Sequence, residues 1–348
     1  VKVIALFAAG ALAAVQFSCA AKAPLSEKLA KEPSPEVPAG YEPARPELLE
    51  MDGENCCAAL FPGAKQMAFL SRGRSRHAHF QVYIFDFERK SDRRLSFHDG
   101  DDQGVAVHPK TLQLFYASTT DANKEDPKFL HTTLGKTVAE PPNHGSRPLW
   151  NLENFEIYRT ERDGTQIKRL TDDKGFDGEV AVNPKGQNIL FTSVRDGRSL
   201  LMRADSGGHG AAVFLRGDGH DSQAQFSPDG NEVVFVRYAA DGSGSQIMYL
   251  PKGKKKPKAL TEGEGLRWSP AWHPDGNTII FSSNHEDKDN FELYKIHKDG
   301  GCLRRLTYEL GHDFLPAVWP DGKKLIYTSD RSGKHQLYSL EYRPQACP

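Results

Sequence analysis

The stretch PAVWPDGKKLIYTSDRSGKHQLY, residues 316–338, decides the fold. A Trp-Pro-Asp-Gly turn separates two short apolar runs, and a Ser-Asp-Arg-Ser-Gly loop leads into a third. Pro pre-sets φ at the first turn position and Gly accepts a positive φ, so the first two runs read as a hairpin. Aligned on the turn proline, the same unit recurs around Pro62, Pro109, Pro184, Pro228, Pro274 and Pro320. The spacings are 47, 75, 44, 46 and 46 residues. All but one fall in the range of four-stranded propeller blades.

Each unit reads as four strands. In the fifth, SPAW precedes the turn and TIIFSS follows it; the second run is almost wholly apolar, as a strand buried on both faces requires. FELYKI, residues 291–296, and HQLYSL, residues 335–340, alternate with period two. A KDGG turn and a short LRRLT strand complete the unit. The sixth copy lacks that outer strand, because YRPQACP offers none, and PELLE at residues 46–50 occupies the matching phase ahead of the first turn. An open edge would expose unpaired backbone groups. The fold class is therefore all-β: a six-bladed β-propeller over residues 46–348, closed by an amino-terminal strand that completes the last blade around a central channel.

Units of the form W-x-P-D-G, apolar strand, T-S-D-R-S-G, L-Y, D-G-G, R-R-L-T resemble the repeats of TolB-type, WD-repeat-like propellers, and the similarity covers residues 46–342. The resemblance implies a binding scaffold of the bacterial cell envelope and an envelope partner such as a peptidoglycan-associated lipoprotein. The residues ahead of the blades do not match TolB's amino-terminal α/β domain. Some propellers with similar repeats are sugar lyases that build a His-based metal site over the channel, which implies His220 and His312, with His77 or His79, as ligands in a metal-dependent lyase or hydrolase.

Lys+Arg (45) and Asp+Glu (46) nearly cancel, leaving no global field to draw nucleic acid or an anionic membrane. Residues 3–17 form an apolar run too short for a comfortable bilayer span, and residues 1–19 read as a secretory signal. Ser18-Cys19 resembles a lipoprotein cleavage site, with Cys19 as the lipidated residue; cleavage after Ala20 is the ordinary alternative. Residues 20–45, rich in Ala, Lys, Glu and Pro, read as a flexible tether. The expected location is the periplasm or, through a lipid anchor alone, the outer membrane, and the expected state is a monomer.

Seven residues before each turn proline stand Asn55, Asp102, Asp177, Asp221, Arg267 and Asp313, in one phase at the channel mouth. A ring of carboxylates suits a hard cation such as calcium, a charged peptide or a sugar; His220 and His312, in GHD triplets, would favour a transition metal. The competing reading is that each Asp satisfies its own loop. Arg267 is placed to neutralise Asp221 and Asp313. The long second period carries an insertion at residues 121–152, leaving from the same face and offering Leu149 and Trp150 to a partner. The chain lacks H-E-x-x-H, C-x-x-C and G-x-S-x-G, so no catalytic residue is assigned and a non-enzymatic role is expected. Cys302 and Cys347 follow third strands of adjacent blades; they bridge if their Cα atoms come within ~7 Å and are otherwise free thiols. Cys56 and Cys57 enter an inner strand at the opposite face.

Overall fold

The computed structural model describes residue 37 and residues 41–74, 77–121, 155–173, 175–195, 198–215, 219–239, 244–343 and 346–347. Cys19, Leu149 and Trp150 lie outside the described residues, as do residues 1–36 and most of the insertion. Six four-stranded antiparallel sheets follow one another in chain order. Their inner strands are Glu54–Leu60, Asp102–Val107, Phe176–Val182, His220–Phe226, Arg267–Trp272 and Asp313–Val318. Each inner strand touches the next, and the last touches the first, so the six sheets close into a ring.

Second strands carry the core. Every residue of Leu114–Ser118 and Thr278–Ser283 is buried, because these strands are covered by the neighbouring blades on both sides. Stacked aromatics such as Trp268 and Phe314, with centroids 5.7 Å apart, fill the seams between blades.

The last sheet takes its outer strand from the amino-terminal side. Glu47 and Leu48 pair with Ser339 and Tyr338, and Leu49 N–H donates to the Leu337 carbonyl at 2.9 Å. The chain then runs directly into blade one, where Asn55 N–H donates to the His335 carbonyl at 2.9 Å and Gln336 Nε2 donates to the Gly53 carbonyl at 2.8 Å. The paired strand is shorter than the five-residue PELLE run, but its place is the expected one.

A second regularity is absent from any residue pattern. Five residues before each turn proline the inner strand bulges through a positive φ, at Cys57, Gly104, Glu179, Gln223, Ser269 and Leu315, with values from 51° to 63°. Only Gly104 is a glycine; elsewhere the pairing of neighbouring strands imposes a conformation that L residues disfavour.

Candidate functional site

The residues of the expected acidic ring all sit at the start of the inner strands, and all are below 5% exposed. Three carboxylates are held by an arginine of the same blade, at the end of the second strand (Arg195, Arg237) or just after it (Arg331). Arg195 Nη2 donates to both oxygens of Asp177 at 2.9 and 3.0 Å. Arg237 forks onto Asp221 at 2.7 and 2.8 Å, and Arg331 Nη2 reaches both oxygens of Asp313 at 2.7 Å. In blade two, where no arginine follows the second strand among the described residues, His98 Nε2 lies 2.9 Å from Asp102 Oδ1 and Ser96 Oγ bonds Asp102 Oδ2. In blade one, where Asn replaces Asp, Arg74 turns to Asp92 at 2.8 and 3.1 Å.

Burial pushes the carboxyls of Asp177 and Asp313 above their ordinary values, while the adjacent guanidinium pulls each back. These groups therefore stay buried because they are paired. The ring carboxylates Asp177, Asp221 and Asp313 are engaged by arginines from within the chain and act as struts between the inner strand and the end of the second strand. Arg267 does not serve Asp221 and Asp313. Its guanidinium donates to the carbonyls of Glu262, Gly263 and Glu264 at 2.8, 2.9 and 2.6 Å, closing its own loop, while Asp221 and Asp313 draw on Arg237 and Arg331. Blade five has His285 at the position of Arg195 and Arg331, so Arg267 supplies the cation from the other side of the hairpin.

His220 and His312 do not converge. His220 Nδ1 accepts from Ser199 N–H at 3.4 Å and His312 Nδ1 accepts from Phe291 N–H at 3.2 Å, each tying its strand to the preceding blade. Burial lowers the pKa of His220. His77 Nε2 meets the Tyr83 hydroxyl at 2.6 Å, and His79 Nδ1 lies 3.3 Å from Asp101, whose hydrogen bond raises the imidazole pKa. Among the described residues, three potential metal-ligand atoms gather within 4.8 Å only at His297, Cys302 and Cys347, on the other face. There Cys302 and Cys347 form a disulfide with Cα atoms 5.1 Å apart.

What the mouth face presents is a set of loops on this strutted frame. Phe97, between the outer strand Ser91–Arg94 and the next inner strand, is 74% exposed, the most exposed large apolar side chain among the described residues. Arg94 lies over its ring at 4.8 Å. The same loop is pinned to the stem of the insertion: Asp101 N–H donates to Thr119 Oγ1 at 3.0 Å and Thr119 N–H to the Asp101 carbonyl at 3.1 Å. Sequence reasoning passed over Phe97, although LSFHDG places an aromatic where LTDDKG and LTEGEG place acidic residues.

Residues 200–346 match the family model described as the TolB beta propeller domain. Solved structures similar to the chain include a TolB-like protein of Agrobacterium tumefaciens (14% identity, TM-score 0.60, covering 85% of this chain and 94% of that one) and TolB of Acinetobacter baumannii (16%, 0.59, 82% and 65%). An oligogalacturonate lyase in complex with manganese is also similar in fold (14%, 0.56, 85% and 79%). An uncharacterised protein of Agrobacterium fabrum is 28% identical over 171 residues, which are 46% of this chain and 47% of the relative. The chain thus spans about half the length of the curated relative it matches. Fold and repeat define a closed six-bladed propeller. The protein is a six-bladed β-propeller, and its carboxyl-terminal blades are similar to the TolB beta propeller domain.

Proposed function

We propose that this propeller is an exported cell-envelope scaffold that recognises a protein, peptide or glycan partner on its mouth face, around Phe97 and the stem of the insertion. The observation that carries the reading is the exposure of Phe97 in a polar loop whose backbone is held on both sides. An exposed aromatic with an arginine over it gives a desolvatable anchor for an apolar side chain or a sugar face. The internal use of the ring carboxylates supports the same reading, since it leaves the loops as the variable part of a fixed frame. Periplasmic residence, lipidation at Cys19, a monomeric state, and docking through Leu149 and Trp150 belong to this proposal.

The test is capture from envelope extracts, and from peptide and oligosaccharide arrays, with the wild-type chain, Phe97→Ser, and Lys254→Glu on the opposite face. Loss of the bound species with Phe97→Ser alone supports the assignment; equal binding by all three refutes it. A parallel deletion of residues 121–152 tests the docking role of the insertion. Stoichiometric transition metal, lost on His220→Ala and His312→Ala, would favour the metal-dependent lyase or hydrolase instead.

A further inference from the structure

Cys56 and Cys57 are neighbours in the inner strand of blade one. Consecutive residues of a regular strand point to opposite faces, which holds their side chains apart. Here the strand is bulged: Cys57 has φ of 63°, and the pairing register shifts between Cys56 and Ala59. The two sulfurs lie 2.7 Å apart, a short step from the ~2.05 Å of an S–S bond. This proximity does not depend on sulfur chemistry, because all six blades carry the same left-handed residue at this point. The fold imposes the bulge, and only blade one fills both positions with thiols; the corresponding pairs elsewhere include Gln103-Gly104, Ser222-Gln223 and Phe314-Leu315. Cys57 is held from outside its own blade, its N–H donating to Thr328 Oγ1 of blade six at 3.3 Å. Cys56 is 5% exposed, packed between blades one and two, whereas Cys57 is only half-buried on the strand nearest the channel axis.

We infer that Cys56 and Cys57 form a reversible vicinal dithiol–disulfide site in the channel wall, exchanging with low-molecular-weight disulfides and thiols. The more accessible Cys57, as thiolate, attacks one sulfur of the external disulfide and expels one thiolate. Cys56 then gives up its proton and attacks Cys57 Sγ, expelling the second thiolate and closing an eight-membered ring. Two protein S–H bonds and one external S–S bond become one protein S–S bond and two external thiols, with two electrons passing to the oxidant. The order of the steps agrees with the environment: the contact with Cys57 and then burial push the Cys56 thiol well above its usual range, which suits a resolving rather than an attacking sulfur.

Residues 32–65 form one tryptic peptide with these two cysteines and no others. The folded chain is reduced with dithiothreitol, exchanged into glutathione disulfide, denatured, treated with N-ethylmaleimide and digested. The expected result is that this peptide loses both labels and is two hydrogens lighter than its reduced form, while Cys57→Ser leaves Cys56 labelled. The Cys302–Cys347 bridge is the control for oxidising conditions. The inference is overturned if the wild-type peptide keeps both labels when that control has re-formed, or if it retains glutathione adducts without closing. It is also overturned if Cys56 stays blocked in Cys57→Ser, which would place its partner elsewhere.

Discussion

Replacing Arg331 by Ala removes the cation that faces Asp313, a carboxylate with no solvent exposure. Breaking one side of a buried ion pair strands the other charge, at a cost of about 3–5 kcal/mol. Part of that loss is packing, since the guanidinium also lies 4.8 Å from the Tyr338 ring centre and Nη2 donates to the Tyr327 hydroxyl at 3.1 Å. The double variant Asp313→Asn with Arg331→Ala keeps the packing loss and relieves the charge, and blade one, with Asn55 at this position, shows that the fold accepts the amide. The double variant should therefore be more stable than Arg331→Ala, and a double-mutant cycle isolates the coupling.

The pH dependence of Arg331→Ala has a defined sign. Burial already raises the folded pKa of Asp313, Arg331 opposes that rise, and its removal raises the pKa further. Below the unfolded carboxylate value the group is neutral in both states and the penalty vanishes; it grows as pH climbs through the folded value. Calorimetric unfolding should show a drop in Tm on the order of 10 °C at about pH 7, and a much smaller drop near about pH 4. Equal losses at both pH values, or no recovery in the double variant, would refute the strut assignment.

Glu292 is buried beside Asp313, and burial followed by that carboxylate holds its pKa well above the usual range, so Glu292→Gln should leave stability unchanged or raise it at neutral pH, with the difference fading in acid; thermal melts across pH check this. Gln stands at the equivalent place in blades one, four and six, as Gln81, Gln246 and Gln336. Cys347→Ser opens a covalent loop of 45 residues and should lower unfolding free energy by at most about 4 kcal/mol, read from denaturant titration. Phe97→Ser should change stability by less than about 0.5 kcal/mol while abolishing partner capture, because the ring is mostly solvated.

The fold was legible because its signals are local and repeated. A turn proline with a trailing glycine marks the first hairpin of most blades, and a missing outer strand at one end with a spare apolar run at the other implies closure. The struts were harder to read. The arginines stand 16 to 18 residues after Asp177, Asp221 and Asp313, but assigning the contact requires the hairpin register, which the bulge shifts between Ser222 and Gln225 and at equivalent points. The bulge itself was hidden, since Cys, Glu, Gln and Leu carry no left-handed preference that would announce it. Phe97 left a weaker trace: the equivalent loops carry Asp172, Glu262 and a second aromatic, Tyr308, which is buried, so the residue type alone does not announce an exposed ring.

The way blade six obtains its outer strand has a mechanical consequence. Glu47 and Leu48 lie in the last sheet while the following residues run straight into blade one, so peptide backbone crosses each of the six seams, including the one between the ends of the polypeptide. A stacked solenoid can fray from its termini repeat by repeat. This wheel offers no terminal spoke to lose: slackening any one wedge drags on two neighbours, and melting should sweep through the whole circle in one concerted transition.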